Sequence, residues 1–180
     1  MKKRISLLVV ALALAAPMTL GVQKKPTVAP DFKAVGSDGK TYTLKSITEN
    51  KPVYLYFIKR TCPVNAGAIQ HFKSIQQAYK DKVNFVGVFD GDKELFDKWQ
   101  KNFKVKFPVL LDPSLNIIRA YQAGASPAVA IVGVDQKVSA FQRGYSEQTL
   151  KDLNKRIAKE TGSKEIKLVF KDAPQEVAFG

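Results

Sequence analysis

Apolar residues fall in short blocks along the chain, separated by turns rich in Asp, Gly and Pro. Residues 52–58, Pro-Val-Tyr-Leu-Tyr-Phe-Ile, carry no charged residue and are too rich in β-branched and aromatic side chains for so short a helix. They predict a central strand buried on both faces. Residues 83–89 form a second apolar strand and 107–111 a shorter third. Between the strands the spacing becomes helical: Ala68, Phe72, Ile75 and Tyr79 make one stripe over residues 63–80, slightly weakened by Gly67, and Leu95, Trp99 and Phe103 make another. Trp99 reads as core. Asp90-Gly91-Asp92 and Asp112-Pro113-Ser114 are turns, and 115–121 is a short helix or an irregular crossover. Residues 32–35 and 40–44 flank Gly36-Ser37-Asp38-Gly39, whose Asp-Gly pair signals a hairpin. A second hairpin joins 128–134 to 138–142 through Asp135-Gln136-Lys137. Ser146 suits the cap of a last helix that turns Leu150, Leu153 and Ile157 inward and ends at Gly162. For residues 163–180, with Ile166, Leu168 and Phe170 alternating before Ala173-Pro174, an edge strand and a loose tail fit equally well. Strands alternating with helices at this spacing predict an α/β sheet with right-handed crossovers.

At 180 residues and 45% apolar content the chain is long enough for one domain with a full core. Its first 21 residues stand apart. Lys2, Lys3 and Arg4 precede an apolar run over 5–16, with Thr19 and Gly21 at plausible cleavage positions, the pattern of a signal peptide. That run is 12 residues long, short of the roughly 20 needed to span a bilayer. The expected organisation is therefore a signal peptide at 1–21, a linker at 22–28, a domain at 29–162 and a tail at 163–180. The cleaved product is expected in the periplasm or outside the cell, with no stable membrane insertion. The net charge of +13 falls to +10 without residues 1–21, which leaves 26 basic residues against 16 acidic. Lysines are spread along the chain rather than gathered around aromatic residues, so nucleic acid is not an expected partner.

Candidate chemistry centres on Cys62, the chain's one cysteine. Export would place it in an oxidising compartment, where a cysteine with no internal partner is either buried or used. It follows the predicted central strand through the basic turn Lys59-Arg60-Thr61 and precedes Pro63, which suits the first position of a helix. Cys62 is thereby expected at the N-cap, reachable by solvent, where unpaired N–H groups and the helix dipole favour thiolate over thiol; Lys59 and Arg60 would act in the same direction. The single histidine, His71, lies nine residues on, about 13.5 Å along a helix, too far to serve as its base. His71 is expected to be a solvated surface residue. One cysteine and one histidine so placed also exclude a zinc site of the usual composition, and no cofactor is expected.

The strand–Cys62-Pro63–helix order resembles the active-site turn of the thioredoxin superfamily, in particular its redoxin branch, the alkyl hydroperoxide reductase and thiol-specific antioxidant type. Ala29-Pro30-Asp31-Phe32, Asp38-Gly39-Lys40 and Leu44 are similar to the redoxin entry segment. The resemblance implies a thioredoxin-like fold: a central mixed sheet flanked by helices, with an N-terminal β-hairpin extension. It also implies that Ser126-Pro127, which precedes the strand at 128, carries a cis peptide bond beside the reactive sulfur and offers a pairing edge to extended substrates. Three positions depart from the family patterns. Asn65 stands where a dithiol protein has its second cysteine; Lys59 stands where a peroxiredoxin has threonine, with Thr61 adjacent to the cysteine instead; and no arginine stands near Ser126. The implied activity is that of a thiol oxidoreductase in which Cys62 attacks a peroxide or a disulfide and an external thiol resolves the product. Its partners would be an external thiol reductant or a disulfide-bearing protein. Cys62 would be catalytic, with Lys59, Arg60, Thr61, Pro63, Asn65, Ser126 and Pro127 in support. A non-catalytic module that holds an extended peptide at the Pro127 edge is the alternative, and salt-sensitive adhesion to anionic polymers a third.

Overall fold

The computed structural model describes residues 28–180, so the expected signal peptide and all but the last residue of the expected linker lie outside the described residues. Its centre is the predicted strand. In chain order the elements are β1 (Lys33–Val35), β2 (Thr41–Thr43), α1 (Leu44–Thr48), β3 (Val53–Ile58), α2 (Val64–Tyr79), β4 (Asn84–Phe89), α3 (Lys93–Phe103), β5 (Val109–Leu111), α4 (Asn116–Ala120), β6 (Ala128–Val132), β7 (Val138–Arg143) and α5 (Glu147–Glu160). All six residues of β3 are buried. Its neighbours are β4, parallel in the register Val53↔Asn84 to Ile58↔Phe89, and β6, antiparallel from Val53↔Val132 to Phe57↔Ala128. The full order is β5-β4-β3-β6-β7. This is a thioredoxin-like α/β fold with a central mixed sheet, preceded by the two-stranded β1-β2 sheet.

Because successive strand residues point to opposite faces, β3 feeds two cores. Tyr54, Tyr56 and Ile58 meet Ala68, Phe72, Ile75 and Tyr79 of α2 and Leu150, Leu153 and Ile157 of α5. Val53, Leu55 and Phe57 meet Leu44 and Ile47 of α1 and Ile117 and Ile118 of α4. The β1-β2 hairpin docks on the sheet edge, where Ser37 N–H donates to Val109 O at 2.7 Å and Gly36 bridges Leu110. That blunts a strand edge otherwise open to pairing.

Side-chain caps locate several helix starts. Asp92 accepts from Leu95 N–H at 2.9 Å and Ser146 from Thr149 N–H at 3.2 Å. The buried Asp112 carboxylate accepts from Asn116 and Ile118 N–H at 2.8 and 2.9 Å, which orients α4. Helix α1 departs from the expected hairpin strand. Its reciprocal Thr43–Ser46 cap holds a five-residue helix where the apolar pattern continues that strand to Leu44.

Two expectations are corrected on the α2 flank. His71 is buried at 5% exposure, against Tyr145 and Phe170 at ring distances of 5.8 and 6.0 Å. The cause is the segment 163–180, which neither forms a regular strand nor trails: Phe170 and Ala173 enter the core and cover the outer side of α2.

Candidate active site

The end of β3, the start of α2 and the loop before β6 converge on one polar knot. After Ile58 the chain turns: Cys62 N–H donates to Lys59 O at 3.0 Å, and Cys62 O accepts from Asn65 N–H at 3.2 Å. Pro63 rather than Cys62 is the capping residue of α2, and no side chain caps that helix. The sulfur is one position further out than expected but still at the helix tip.

Asn65, 1% exposed, ties the three elements together. Its Nδ2 donates to Lys59 O at 2.7 Å, and its Oδ1 accepts from Tyr56 Oη at 3.0 Å and from Ser126 Oγ at 3.2 Å. Ser126 Oγ in turn accepts from Lys59 N–H at 3.2 Å. The side-chain oxygens of Tyr56, Asn65 and Ser126 and the Asn65 amide nitrogen thus all have partners, as buried polar groups require. Tyr56 is the participant that sequence reasoning missed. A tyrosine in a strand buried on both faces needs a partner for its hydroxyl, and that was the available signal. Burial pushes the Tyr56 hydroxyl well above its ordinary range, with the nearby Cys62 adding to the effect, so it stays protonated and donates.

Cys62 Sγ lies 3.3 Å from Ser126 O, with the thiol as donor. The Ser126–Pro127 peptide bond is cis. The structure therefore brings together Cys62, Pro63, Asn65, Ser126 and Pro127. It takes Arg60 elsewhere: its Nη1 lies 3.2 Å from Asp90 Oδ2 and donates to Asp90 O at 2.5 Å, and its N–H donates to Asp90 Oδ1 at 2.8 Å. Lys59 acts through its main chain, while its side chain, like that of Thr61, is exposed.

The expectation of a solvent-reachable sulfur is also corrected, since Cys62 is only 6% exposed. The inner wall is the polar knot. The outer wall is Gly180, whose N–H donates to Ser126 O at 2.8 Å and whose O accepts from Ser126 N–H at 2.9 Å. A methyl group added to Gly180 would fall 2.9 Å from the sulfur.

A model of the AhpC/TSA family matches residues 27–141. Over 135 residues the chain is 29% identical to the thiol-disulfide oxidoreductase ResA of Bacillus cereus, covering 74% of this chain and 76% of that one. It is 28% identical over 130 residues to ResA of Bacillus subtilis, with 68% and 69% covered. Among solved structures it is similar to a Chlorobium tepidum protein assigned as the thiol:disulfide interchange protein DsbE, with a TM-score of 0.70, 24% identity and coverage of 77% of this chain and 99% of that chain. The exposed lipoprotein thioredoxin of Streptococcus pneumoniae aligns with a TM-score of 0.57 and 28% identity over 68% of this chain and 99% of that chain.

Proposed function

The chain belongs to the AhpC/TSA family, and from that premise we propose that it is an exported thiol-disulfide oxidoreductase working through Cys62 alone. The observation that carries this reading is the position of Cys62 Sγ, at the tip of α2 and 3.3 Å from the carbonyl of Ser126 beside Pro127. The thiol first releases its proton to solvent water. The thiolate then attacks one sulfur of a partner disulfide: a Cys62–partner S–S bond forms, the partner's own S–S bond breaks, and its second sulfur departs as thiolate.

Asn65 occupies the place from which a second thiol would resolve this adduct. An external thiol therefore attacks the mixed disulfide, takes over the partner sulfur and releases the Cys62 thiolate. Asn65 instead holds the turn rigid, keeping the sulfur against the Ser126 edge while the partner changes. A hydroperoxide is the second substrate class: the thiolate attacks one oxygen, the O–O bond breaks, and a sulfenic acid forms as hydroxide or alkoxide leaves. Residues 1–21 act as the export signal, residues 29–162 as the catalytic domain, and 163–180 as its tail. Among the described residues no helix is long and apolar enough to cross a membrane.

The test is a mixed disulfide between Cys62 and a small peptide disulfide, followed by mass spectrometry. The adduct forms at Cys62, is absent in Cys62→Ser, and forms faster than on free cysteine at the same pH once the segment carrying Gly180 is removed; a rate no better than free cysteine in that form defeats the proposal. One observation favours a second reading, a peptide-holding module without catalysis: the Ser126 edge is paired with an extended segment of this chain. Under that reading Cys62→Ala leaves the binding of a peptide partner intact.

A further inference from the structure

Residues 174–180 bend at Gln175-Glu176 and then run as a strap across the mouth of the site. Pro174 O accepts from Glu147 N–H at 2.8 Å, and Gln175 Nε2 donates to Glu147 Oε2 at 3.0 Å. Ala178 and Tyr145 then exchange a pair of backbone bonds, each 2.9 Å, and Gly180 and Ser126 exchange a second pair at 2.8 and 2.9 Å. The side chains add less: Val177 and Phe179 are 46% and 61% exposed, and of the apolar residues only the small Ala178 packs against the core. Backbone pairing, whose net contribution per bond is small, is the main attachment.

The Ser126–Gly180 pair uses both main-chain groups of Ser126. An extended peptide presenting a disulfide to Cys62 would need those same groups, in the manner of a strand added to a sheet edge. Gly180 also stands directly over the sulfur, leaving too little room for a side chain there. With the strap down, the thiol donates to Ser126 O, an acceptor that also receives Gly180 N–H.

We infer that residues 174–180 are an internal occupant of the substrate edge: they fill the Ser126 pairing groups and cover Cys62, and the sulfur reacts only in molecules where they have lifted, which an extended, disulfide-bearing peptide promotes by competing for the same edge. This rests on Cys62 being the reacting thiol, as proposed above. Apparent reactivity is then the intrinsic reactivity multiplied by the fraction of molecules with the strap lifted.

The experiment compares the rate of Cys62 alkylation by iodoacetamide in three forms: the full chain, Ala178→Pro, which removes the N–H given to Tyr145 O, and a variant lacking residues 174–180. Circular dichroism and Trp99 fluorescence report the fold. Alkylation rises by roughly tenfold or more in both variants, the protection expected from a local opening equilibrium. A synthetic peptide of residues 172–180, added to the shortened variant, slows it again. Equal rates in the full chain and the shortened variant overturn the inference. If both variants fail to fold, amide hydrogen exchange on the unaltered protein decides: Gly180 and Ala178 exchanging well ahead of the β3 and β6 amides supports it, and exchange only with global unfolding overturns it. The same samples separate the two levels. A faster alkylation on opening, combined with a reaction toward disulfides no faster than free cysteine, would retain the strap and remove the oxidoreductase reading.

Discussion

Cys62 has an inner wall and an outer wall, built in opposite ways. Inside, Asn65, Tyr56, Ser126 and the Lys59 main chain share four hydrogen bonds in a corner that is almost fully buried and spans three elements of the fold. Outside, residues 174–180 lie across the same sulfur, held chiefly by main-chain bonds at Pro174, Ala178 and Gly180, with Ala178 against the core and Val177 and Phe179 exposed. The inner wall cannot be altered without disturbing the sheet and α2 together. The outer wall can lift while both stay in place, since the free energy of a local opening rises with the apolar surface it exposes and the hydrogen bonds it breaks. Positioning of the sulfur belongs to one wall and access to it to the other.

The largest effect is expected from the sulfur itself: Cys62→Ser eliminates adduct formation with disulfides and leaves the urea midpoint nearly unchanged. Detection of an adduct on the serine variant would place the chemistry elsewhere. Next comes the inner wall. Asn65→Ala leaves the Tyr56 hydroxyl without its acceptor and takes one hydrogen bond each from the Lys59 carbonyl and the Ser126 hydroxyl, and should cost roughly 2 to 4 kcal/mol in urea unfolding; a loss near zero would mean the knot is not the anchor. A substitution in the outer wall should reverse the balance, with reactivity gained and less stability lost. Gly144, at φ +72°, leaves no room for a side chain, because a Cβ there would lie 2.6 Å from Val177 Cγ1 and 2.7 Å from Ala178 O. Gly144→Ala should cost about 1 to 2 kcal/mol while Cys62 alkylates faster; unchanged alkylation would contradict the division of labour.

Smaller still is the effect of pH. Burial lowers the His71 pKa, opposed by Asp172. The unfolded chain, whose histidine titrates near about 6.5, therefore takes up its proton first as pH falls. Stability is complete above that value and is lost as pH drops toward the folded pKa. His71→Phe should flatten the slope of stability between about pH 7 and 5, read from urea midpoints; an identical slope would exclude His71 as its source. Smallest of all, Arg60→Gln should change stability by under about 1 kcal/mol and leave Cys62 reactivity unaltered, because its guanidinium serves Asp90. A marked fall in reactivity would restore the electrostatic role that the sequence suggested.

The difference between the walls is also the difference in what could be read from the chain. Strand β3 was legible because an unbroken apolar run between turn signals admits few other structures, and the helical stripes of α2, α3 and α5 follow from their spacing. The juxtaposition of Cys62 with Ser126 and Pro127 came from a family resemblance, since nothing local links positions 62 and 126. Asn65 was foreseen only as a supporting residue beside Cys62, and its partnership with Tyr56 was not. The outer wall was opaque for a physical reason. Its bonds are made by main chain, which every residue carries, and the alternation at Ile166, Leu168 and Phe170 that precedes it names no particular edge. The misplacement of His71 in solvent follows from the same gap, because Phe170 and Ala173, which help bury it, belong to that segment.

The central claim is that Cys62 is the reacting sulfur, and the most direct measurement is intact-mass analysis of the protein and of its form lacking residues 174–180 during incubation with glutathione disulfide. The predicted result is one adduct per chain, located at Cys62, formed in the shortened protein faster than on free cysteine at the same pH. A Cys62 that stays unmodified, or reacts more slowly than free cysteine even with the strap removed, would contradict it.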